Sequence, residues 1–247
     1  MLESLLAFAL VLTRISGFFL ILPVFGWRAI PIRIKVAATV LLSFFFAFIA
    51  PVSIDVTQVS TLKAVLLLAS EATYGLALGL IVSVLFSVVK ISGQIIERQM
   101  GMTMANVLDP MTGENSRPLG SLLEMLFILL FLGANGHHMF LLILSKSYAA
   151  FPPGTIPTIQ IMTSGVITAS SAMLIAALRL AAPMLAAFMV LMVALALLAR
   201  LVPEMNILFI SMPVRLGLGL IMAGAFLPFV NGYMKEMTQW MAKVLPL

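Results

Sequence analysis

The chain has 247 residues, of which 62% are hydrophobic and 9% are charged, and its mean hydropathy is +1.18. Soluble domains contain about 45–50% apolar residues, so this composition predicts an integral membrane protein. The absence of cysteine excludes disulfides, thiolate metal ligands and thiol catalysis. The net charge of +5 comes from basic residues spread among apolar runs, and they form no patch suited to a nucleic acid.

Six apolar runs follow one another along the chain. They cover about Leu5–Phe25, Val36–Ile54, Ala64–Val89, Leu119–Leu144, Gly165–Ala199 and Ile207–Val230. Each reaches or nearly reaches the roughly 20 residues that a helix needs to cross a bilayer. The pattern therefore predicts an all-α, polytopic fold with about six long hydrophobic helices. Pro183 predicts a kink in the fifth run, because proline removes a backbone donor.

The first run does not have the pattern of a cleavable signal peptide. Glu3 stands where a signal peptide has its basic flank, and Arg14 interrupts the apolar stretch that would form its hydrophobic core. We therefore expect the first segment to remain in the mature protein.

Four charged residues fall inside apolar runs. They are Arg14, Glu71, Glu124 and Arg179. An ionised group at the centre of a bilayer costs roughly 2.5–3.5 kcal/mol, so we do not expect all four to face lipid. Three explanations stay open: the charges line the aqueous cavity of a transporter, they are buried against partner subunits, or the segments lie outside the bilayer. The two glutamates lie near run ends, from which a side chain can also snorkel to the interface.

Small residues recur on two of the runs. Gly75 and Gly79 form a small-xxx-small pair in the third run, and Gly217, Gly219 and Gly224 recur in the last. Small side chains let helix backbones approach closely, so these faces are predicted to serve helix packing and assembly. Such motifs are common in membrane helices and do not by themselves identify the partner.

A polar, glycine- and methionine-rich segment, GQIIERQMGMTMANVLDPMTGENSRPLG, runs from Gly93 to Gly120. Its glycines and prolines exclude one unbroken helix. Its middle nevertheless contains the apolar residues Met100, Met102, Met104, Val107 and Leu108, with Gly101 among them. Methionine fills irregular gaps and repacks when its neighbours shift, so this stretch is suited to be a compliant seal inside an assembly. The alternative is a connecting loop whose methionines rest on the nearest helix.

Catalytic and ligand-binding patterns are nearly absent from the sequence. His137 and His138 are adjacent and point in different directions on a helix, unlike the i, i+4 pair that holds a metal. No GxxxxGK[ST] motif is present to cradle nucleotide phosphates. We therefore predict no enzyme activity, no cofactor and no metal site, so the energy for any transport would come from a partner or an ion gradient.

Three strings resemble the FliR family of flagellar biosynthetic proteins. They are QMGMTMANVLDP (Gln99–Pro110), NGHHMFLLILSKSYAAFPPG (Asn135–Gly154) and ARLVPEMNILFISMPVRLGLGL (Ala199–Leu220). Together with the spacing of the six runs, the resemblance covers essentially the whole chain. The injectisome export proteins of type III secretion belong to the same superfamily and are the closest alternative within it.

The resemblance implies a subunit of the export gate in the bacterial inner (cell) membrane, within the flagellar basal body. Such a gate is assembled with FliP and FliQ, docks to FlhB and passes unfolded flagellar subunits. Part of it is raised above the bilayer on the periplasmic side, so partner helices would surround the four charges. The resemblance also implies a FliP-like fold for residues 1–164 and a FliQ-like hairpin for residues 165–247, with the boundary near Gly165.

The central loop of this family plugs the pore, and the matching positions in this chain are Met100–Leu108. Family members often carry phenylalanines in this loop, whereas this chain has Met104 and Val107 at the corresponding places. We therefore predict a non-enzymatic subunit that forms and closes an export channel. The alternative from another class is a secondary transporter or channel subunit. In that case the residues along the solute path would be Arg14, Glu71 and Arg179.

Overall fold

The structure is a computed structural model that describes residues 2–23, 30–49, 60–102, 118–155, 159–204 and 206–244. The regular elements in these ranges are all α-helices. They are α1 (Leu2–Ile21), α2 (Ile32–Ile49), α3 (Thr61–Met100), α4 (Pro118–Gly133), α5 (His137–Ala150), α6 (Ile159–Leu201) and α7 (Ile207–Val244). The prediction of an all-α, polytopic fold is confirmed.

Four of these helices are long and apolar enough to cross a membrane: α2, α3, α6 and α7. The pair α4 and α5 makes a fifth candidate span that is broken by a turn, and the apolar stretch of α1, Leu5–Ile21, is shorter than the four candidate spans. α3 and α6 contain 40 and 43 residues. At 1.5 Å per residue each is roughly 60 Å long, about twice the thickness of the hydrocarbon core, so both can extend well beyond a bilayer.

The predicted fourth run, Leu119–Leu144, is two helices rather than one. α4 ends at Gly133 and α5 begins at His137, and between them Asn135 has a φ of +59°. Asparagine is one of the few residues other than glycine that adopt this left-handed conformation readily. The break is therefore set by backbone conformation, which hydropathy does not reveal. Pro183 lies inside α6, which continues on both sides of it, and the predicted kink stays a prediction.

α3 shows how local sequence signals set the ends of a helix. At its start, the Ser60 hydroxyl accepts a hydrogen bond from the N–H of Lys63 at 3.3 Å, as an N-cap residue does. At its end, Gly101 has a φ of +79°, and its N–H donates to the carbonyl oxygen of Arg98 at 3.2 Å. The N–H of Met102 donates to the carbonyl oxygen of Glu97 at 3.3 Å, and the two hydrogen bonds together form a Schellman C-cap.

The chain divides into two compact units. Unit 1 contains Met1–Phe86, Ala134–Ser171 and Met237–Leu247, and unit 2 contains Ser87–Gly133 and Ala172–Glu236. In unit 1, α1 packs against α2, and the rings of Phe18 and Phe140 meet edge to face with centroids 6.3 Å apart. In unit 2, the rings of Phe127 and Tyr233 lie 6.0 Å apart. The division near Gly165, which lies inside α6, concerns resemblance to other folds and stays a prediction.

Candidate functional site

The first candidate site is a buried charge cluster in unit 1, formed by Arg14 of α1 and Glu71 of α3. Their side chains are 0% and 1% exposed. Nε of Arg14 donates to Oε2 of Glu71 at 2.6 Å, and Nη2 donates to Oε1 at 3.0 Å. Two parallel hydrogen bonds between a guanidinium and a carboxylate form the strong, orientation-specific kind of ion pair.

The remaining guanidinium nitrogen of Arg14 reaches the end of α5. Nη1 donates to the carbonyl oxygen and the hydroxyl of Ser147 at 3.1 and 3.2 Å, and to the carbonyl oxygen of Phe151 at 3.0 Å. The Glu71 carboxylate also accepts the N–H of Gly154 at 2.9 Å. Buried charges are tolerated when they are paired and hydrogen-bonded. The cluster therefore joins α1, α3 and the turn after α5.

Two tyrosine rings flank the guanidinium of Arg14. Its Cζ lies 4.9 Å from the ring centroid of Tyr74 and 4.5 Å from that of Tyr148, both within cation–π range. Neither tyrosine was predicted to belong to a site. Tyr74 lies three residues after Glu71, which is a sequence signal for the same helix face. Tyr148 is distant along the chain, and only the tertiary fold brings it here.

This cluster accounts for two of the four charges inside apolar runs. Arg14 and Glu71 are buried and paired within the chain, so their pairing needs no partner subunit. Their burial does not favour the transporter alternative, in which both would line a solute path. Glu124 instead pairs with Lys90 at 2.8 Å, with side chains 23% and 41% exposed, and Arg179 is exposed on α6. Contact of Glu124 and Arg179 with partner subunits stays a prediction.

Gly75 and Gly79 lie where α3 meets α1 of the same chain. A Cβ added at Gly75 would clash with the backbone carbonyl of Arg14, and one added at Gly79 would lie 2.7 Å from the carbonyl oxygen of Phe18. On α1, a Cβ added at Gly17 would lie 2.9 Å from the carbonyl oxygen of Ala72 in α3. The small residues thus allow two helix backbones to touch within unit 1. An effect of these glycines on assembly stays a prediction.

The two predicted glycines of α7 differ from each other. A Cβ added at Gly217 would meet no described atom within 4 Å. A Cβ added at Gly219 would overlap the side chain of Met100, which is 2% exposed. The sequence predicts a role in helix packing for Gly219 and a role in a seal for Met100. The structure brings them together in unit 2, so Gly219 provides the space that Met100 occupies.

The glycine- and methionine-rich segment is partly helical. Residues 93–100 belong to α3, Gly101 and Met102 form its C-cap, and Pro118 begins α4. The prediction that no single helix spans the segment holds at Gly101, but its first part is helix rather than loop. The predicted seal residues Met104, Val107 and Leu108 lie outside the described residues.

Glu97 is a buried residue at the base of this segment that sequence reasoning missed. Its side chain is 2% exposed, and Oε1 accepts the backbone N–H of Leu119 at the start of α4. Nearby, a Cβ on Gly93 would lie 2.8 Å from the Cα of Gly120, so α3 and α4 are in close contact there. Pro118 marks the start of α4 in the sequence. The capping acid lies on the preceding helix, so no local motif reveals it.

The two histidines lie side by side at the start of α5. The rings of His137 and His138 have centroids 4.3 Å apart, and both residues are exposed. Among the residues that the structure describes, no group of three or more His, Asp or Glu side chains could hold a metal ion.

Long apolar helices, with a charge pair buried among them, define a polytopic membrane protein. Residues 5–241 match the family described as bacterial export proteins, family 1, and the chain belongs to that family. The family resemblance is confirmed. The chain is accordingly a subunit of a type III export apparatus and not an enzyme.

Relatives include flagellar biosynthetic proteins and a Yop translocation protein. The flagellar biosynthetic protein FliR of Bacillus subtilis is 34% identical over 224 residues, which cover 87% of this chain and 84% of that protein. FliR of Pectobacterium carotovorum is 29% identical, with 87% of this chain and 82% of that protein covered. The Yop proteins translocation protein T of Yersinia pestis is 27% identical, with 86% of this chain and 82% of that protein covered.

Proposed function

We propose that this chain is the FliR-type subunit of a flagellar export gate, and that Met100–Leu108 closes the channel through which unfolded flagellar subunits leave the cell. The flagellar assignment, in preference to a virulence system, is supported by the 34% identity to the FliR protein of Bacillus subtilis. The chain would assemble with FliP and FliQ, dock to FlhB and contact membrane lipid. It would lie in the inner membrane within the basal body, partly raised to the periplasmic side.

The way in which α3 ends supports the closure proposal. The helix stops at a Schellman cap on Gly101, immediately after a buried methionine that rests against Gly219. A left-handed glycine lets the chain leave the helix axis sharply without strain. The chain thus leaves the axis of α3 at Gly101, and the apolar residues that follow in the sequence are poorly suited to a solvated loop.

Methionines can seal a channel without a fixed aromatic stack. Each unbranched thioether chain adapts its shape to its neighbours. Its contacts are individually weak but together exclude water and ions. Because this chain has Met104 and Val107 where family members often carry phenylalanine, we propose that its seal depends on adaptable packing more than on ring contacts.

The test is ion leak through assembled gates. Two variants, deletion of residues 101–106 and the double substitution Met102→Ser with Met104→Ser, are expected to assemble normally and to make the cell membrane leaky to ions and small solutes. Met189→Ser is the matched control, because Met189 is 70% exposed on α6 and is not part of the proposed seal. Variants that assemble normally and conduct no more than the unmodified gate would show that the segment is an ordinary connection.

A further inference from the structure

We propose that Glu97 is a positioning residue that holds the end of α3 beside the start of α4, the two described elements that flank residues 103–117 in the sequence. Its backbone closes α3 before the segment, and its side chain caps α4 after it. For its effect on channel closure, this inference rests on the proposed function. The contacts of Glu97 with Met102 and Leu119 lie within unit 2.

The side-chain contact supplies what the sequence of α4 lacks. The first turn of α4 contains no acidic residue, and its first residue, Pro118, has no N–H. The N–H of Leu119 is thus the first backbone donor of the helix, and it has no partner within α4. The carboxylate of Glu97 accepts it, and a negative charge at this end also interacts favourably with the helix dipole.

The backbone contact acts on the other end of the segment. The carbonyl oxygen of Glu97 accepts the N–H of Met102 at 3.3 Å, which is the longer-range bond of the Schellman cap. One residue therefore holds both Met102, directly before residues 103–117, and Leu119, the second residue after them. Loss of the side-chain contact would release the start of α4 at Leu119, while the C-cap of α3 would stay intact.

Two further contacts show that this arrangement belongs to a continuous helix–helix interface. Lys90, Gly93 and Glu97 recur at a spacing of three and four residues, which places them on one face of α3. Lys90 pairs with Glu124, Gly93 meets Gly120, and Glu97 caps α4 at Leu119. Moving along α3 thus corresponds to moving backwards along α4, so the two helices are antiparallel. Glu97 lies at the end of this interface, next to the segment.

The experiment compares two substitutions of nearly equal size. Glu97→Gln keeps an oxygen that can accept the N–H of Leu119, whereas Glu97→Met keeps the length of the side chain without that acceptor. Because the chain contains no cysteine, single cysteines can replace the exposed residues Arg98 and Ser121 and carry spin labels. The distance between the labels is then measured in the complete detergent-extracted complex.

The expected result is a narrow distance distribution for the unmodified residue and for Glu97→Gln, and one at least twice as wide for Glu97→Met. Ion leak is expected to rise for Glu97→Met and to stay low for Glu97→Gln at equal recovery of the complex. A residue that serves folding alone would reduce recovery instead. A narrow distribution in Glu97→Met would overturn the proposal.

A second measurement, of amide hydrogen exchange, needs no substitution and tests the contact between Glu97 and Leu119 even if Glu97→Met does not assemble. In the unmodified complex, the amide hydrogen of Leu119 is expected to exchange at least tenfold more slowly than unprotected amides at helix starts. Exchange at the unprotected rate would overturn the proposal. A widened distribution without ion leak supports the positioning role and counts against closure of the channel by the segment, so the two proposals fail separately.

Discussion

Two glycines of α3, Gly75 and Gly79, and two of α7, Gly217 and Gly224, lie in opposite surroundings. Gly75 and Gly79 face the backbone of α1 so closely that an added Cβ would collide with it. Gly217 and Gly224 have no described atom within 4 Å of an added Cβ. In the most apolar 18-residue stretch of α3, 56% of the residues are buried inside the chain, whereas the corresponding share in α7 is 17%. Gly75 and Gly79 are thus already used within the chain, whereas Gly217 and Gly224 have room for a helix of another subunit among the described residues.

The comparison shows what a small-residue motif does and does not determine. The strings GLALGLI, from Gly75, and RLGLGLI, from Arg215, are nearly alike. Both allow close approach of another helix, because they remove side-chain volume. Only the surrounding structure decides whether that helix belongs to the same chain or to a partner. Four sets of substitutions, described from the largest expected effect to the smallest, test these packing contacts.

The largest effect is expected from Gly75→Leu. The new side chain must displace the backbone of α1 at Arg14, and backbone cannot move aside as a flexible side chain can. We expect loss of the folded chain itself, measured as protein recovered from membranes in a monodisperse state. Gly217→Leu is the matched substitution on α7. It is expected to leave the chain folded and to lower the amount that co-purifies with partner subunits.

If Gly75→Leu gives normal amounts of folded chain, the close contact between α1 and α3 does not exist as described. If Gly217→Leu assembles as well as a substitution of the exposed Lys235, the open face of α7 is not an assembly surface.

The next largest effect is expected from separating Arg14 and Glu71. Removing one member of a buried pair costs about 3–5 kcal/mol, because the other charge is left uncompensated. We expect Arg14→Met and Glu71→Leu each to lower the temperature at which the detergent-solubilised chain unfolds. The double variant Arg14→Met with Glu71→Leu is expected to be more stable than either single variant. Additive losses in the double variant would contradict a mutual ion pair.

A smaller effect is expected where Met100 rests on Gly219. Gly219→Ala places a Cβ in the space of the Met100 side chain, and overpacking of this kind costs about 1–3 kcal/mol. Met100 can adapt, so the chain is expected to fold with reduced thermal stability. Met100→Ala in the same chain is expected to restore part of the loss. No such restoration in the double variant would show that the two residues are not in contact.

The smallest effect is expected at the ion pair of Lys90 and Glu124. Both side chains are partly exposed, and pairs of this kind contribute about 0.2–1 kcal/mol. We expect Lys90→Met and Glu124→Gln to change the unfolding temperature by little more than the experimental error. A loss as large as that of Arg14→Met would mean that this pair is buried in the assembled protein.

The helices could be predicted from the sequence, because a long apolar run in a membrane must satisfy its backbone hydrogen bonds internally, as a helix does. The break between α4 and α5 could not, because it depends on the left-handed conformation of Asn135. The need to neutralise Arg14 and Glu71 could be predicted from the cost of burying charge. Their mutual pairing could not, since 57 residues separate them in the chain. Glu97 was missed for the same reason, because it caps a helix that begins 21 residues later, at Pro118.

Whether this chain works as a gate subunit is tested by the mass of the complex extracted from the bacterial membrane under mild conditions. A gate subunit is expected in a particle that contains several different hydrophobic partners, and Gly217→Leu is expected to reduce that particle without reducing the folded chain. A particle built of this chain alone, or a stable monomer that fully accounts for export, would contradict the account.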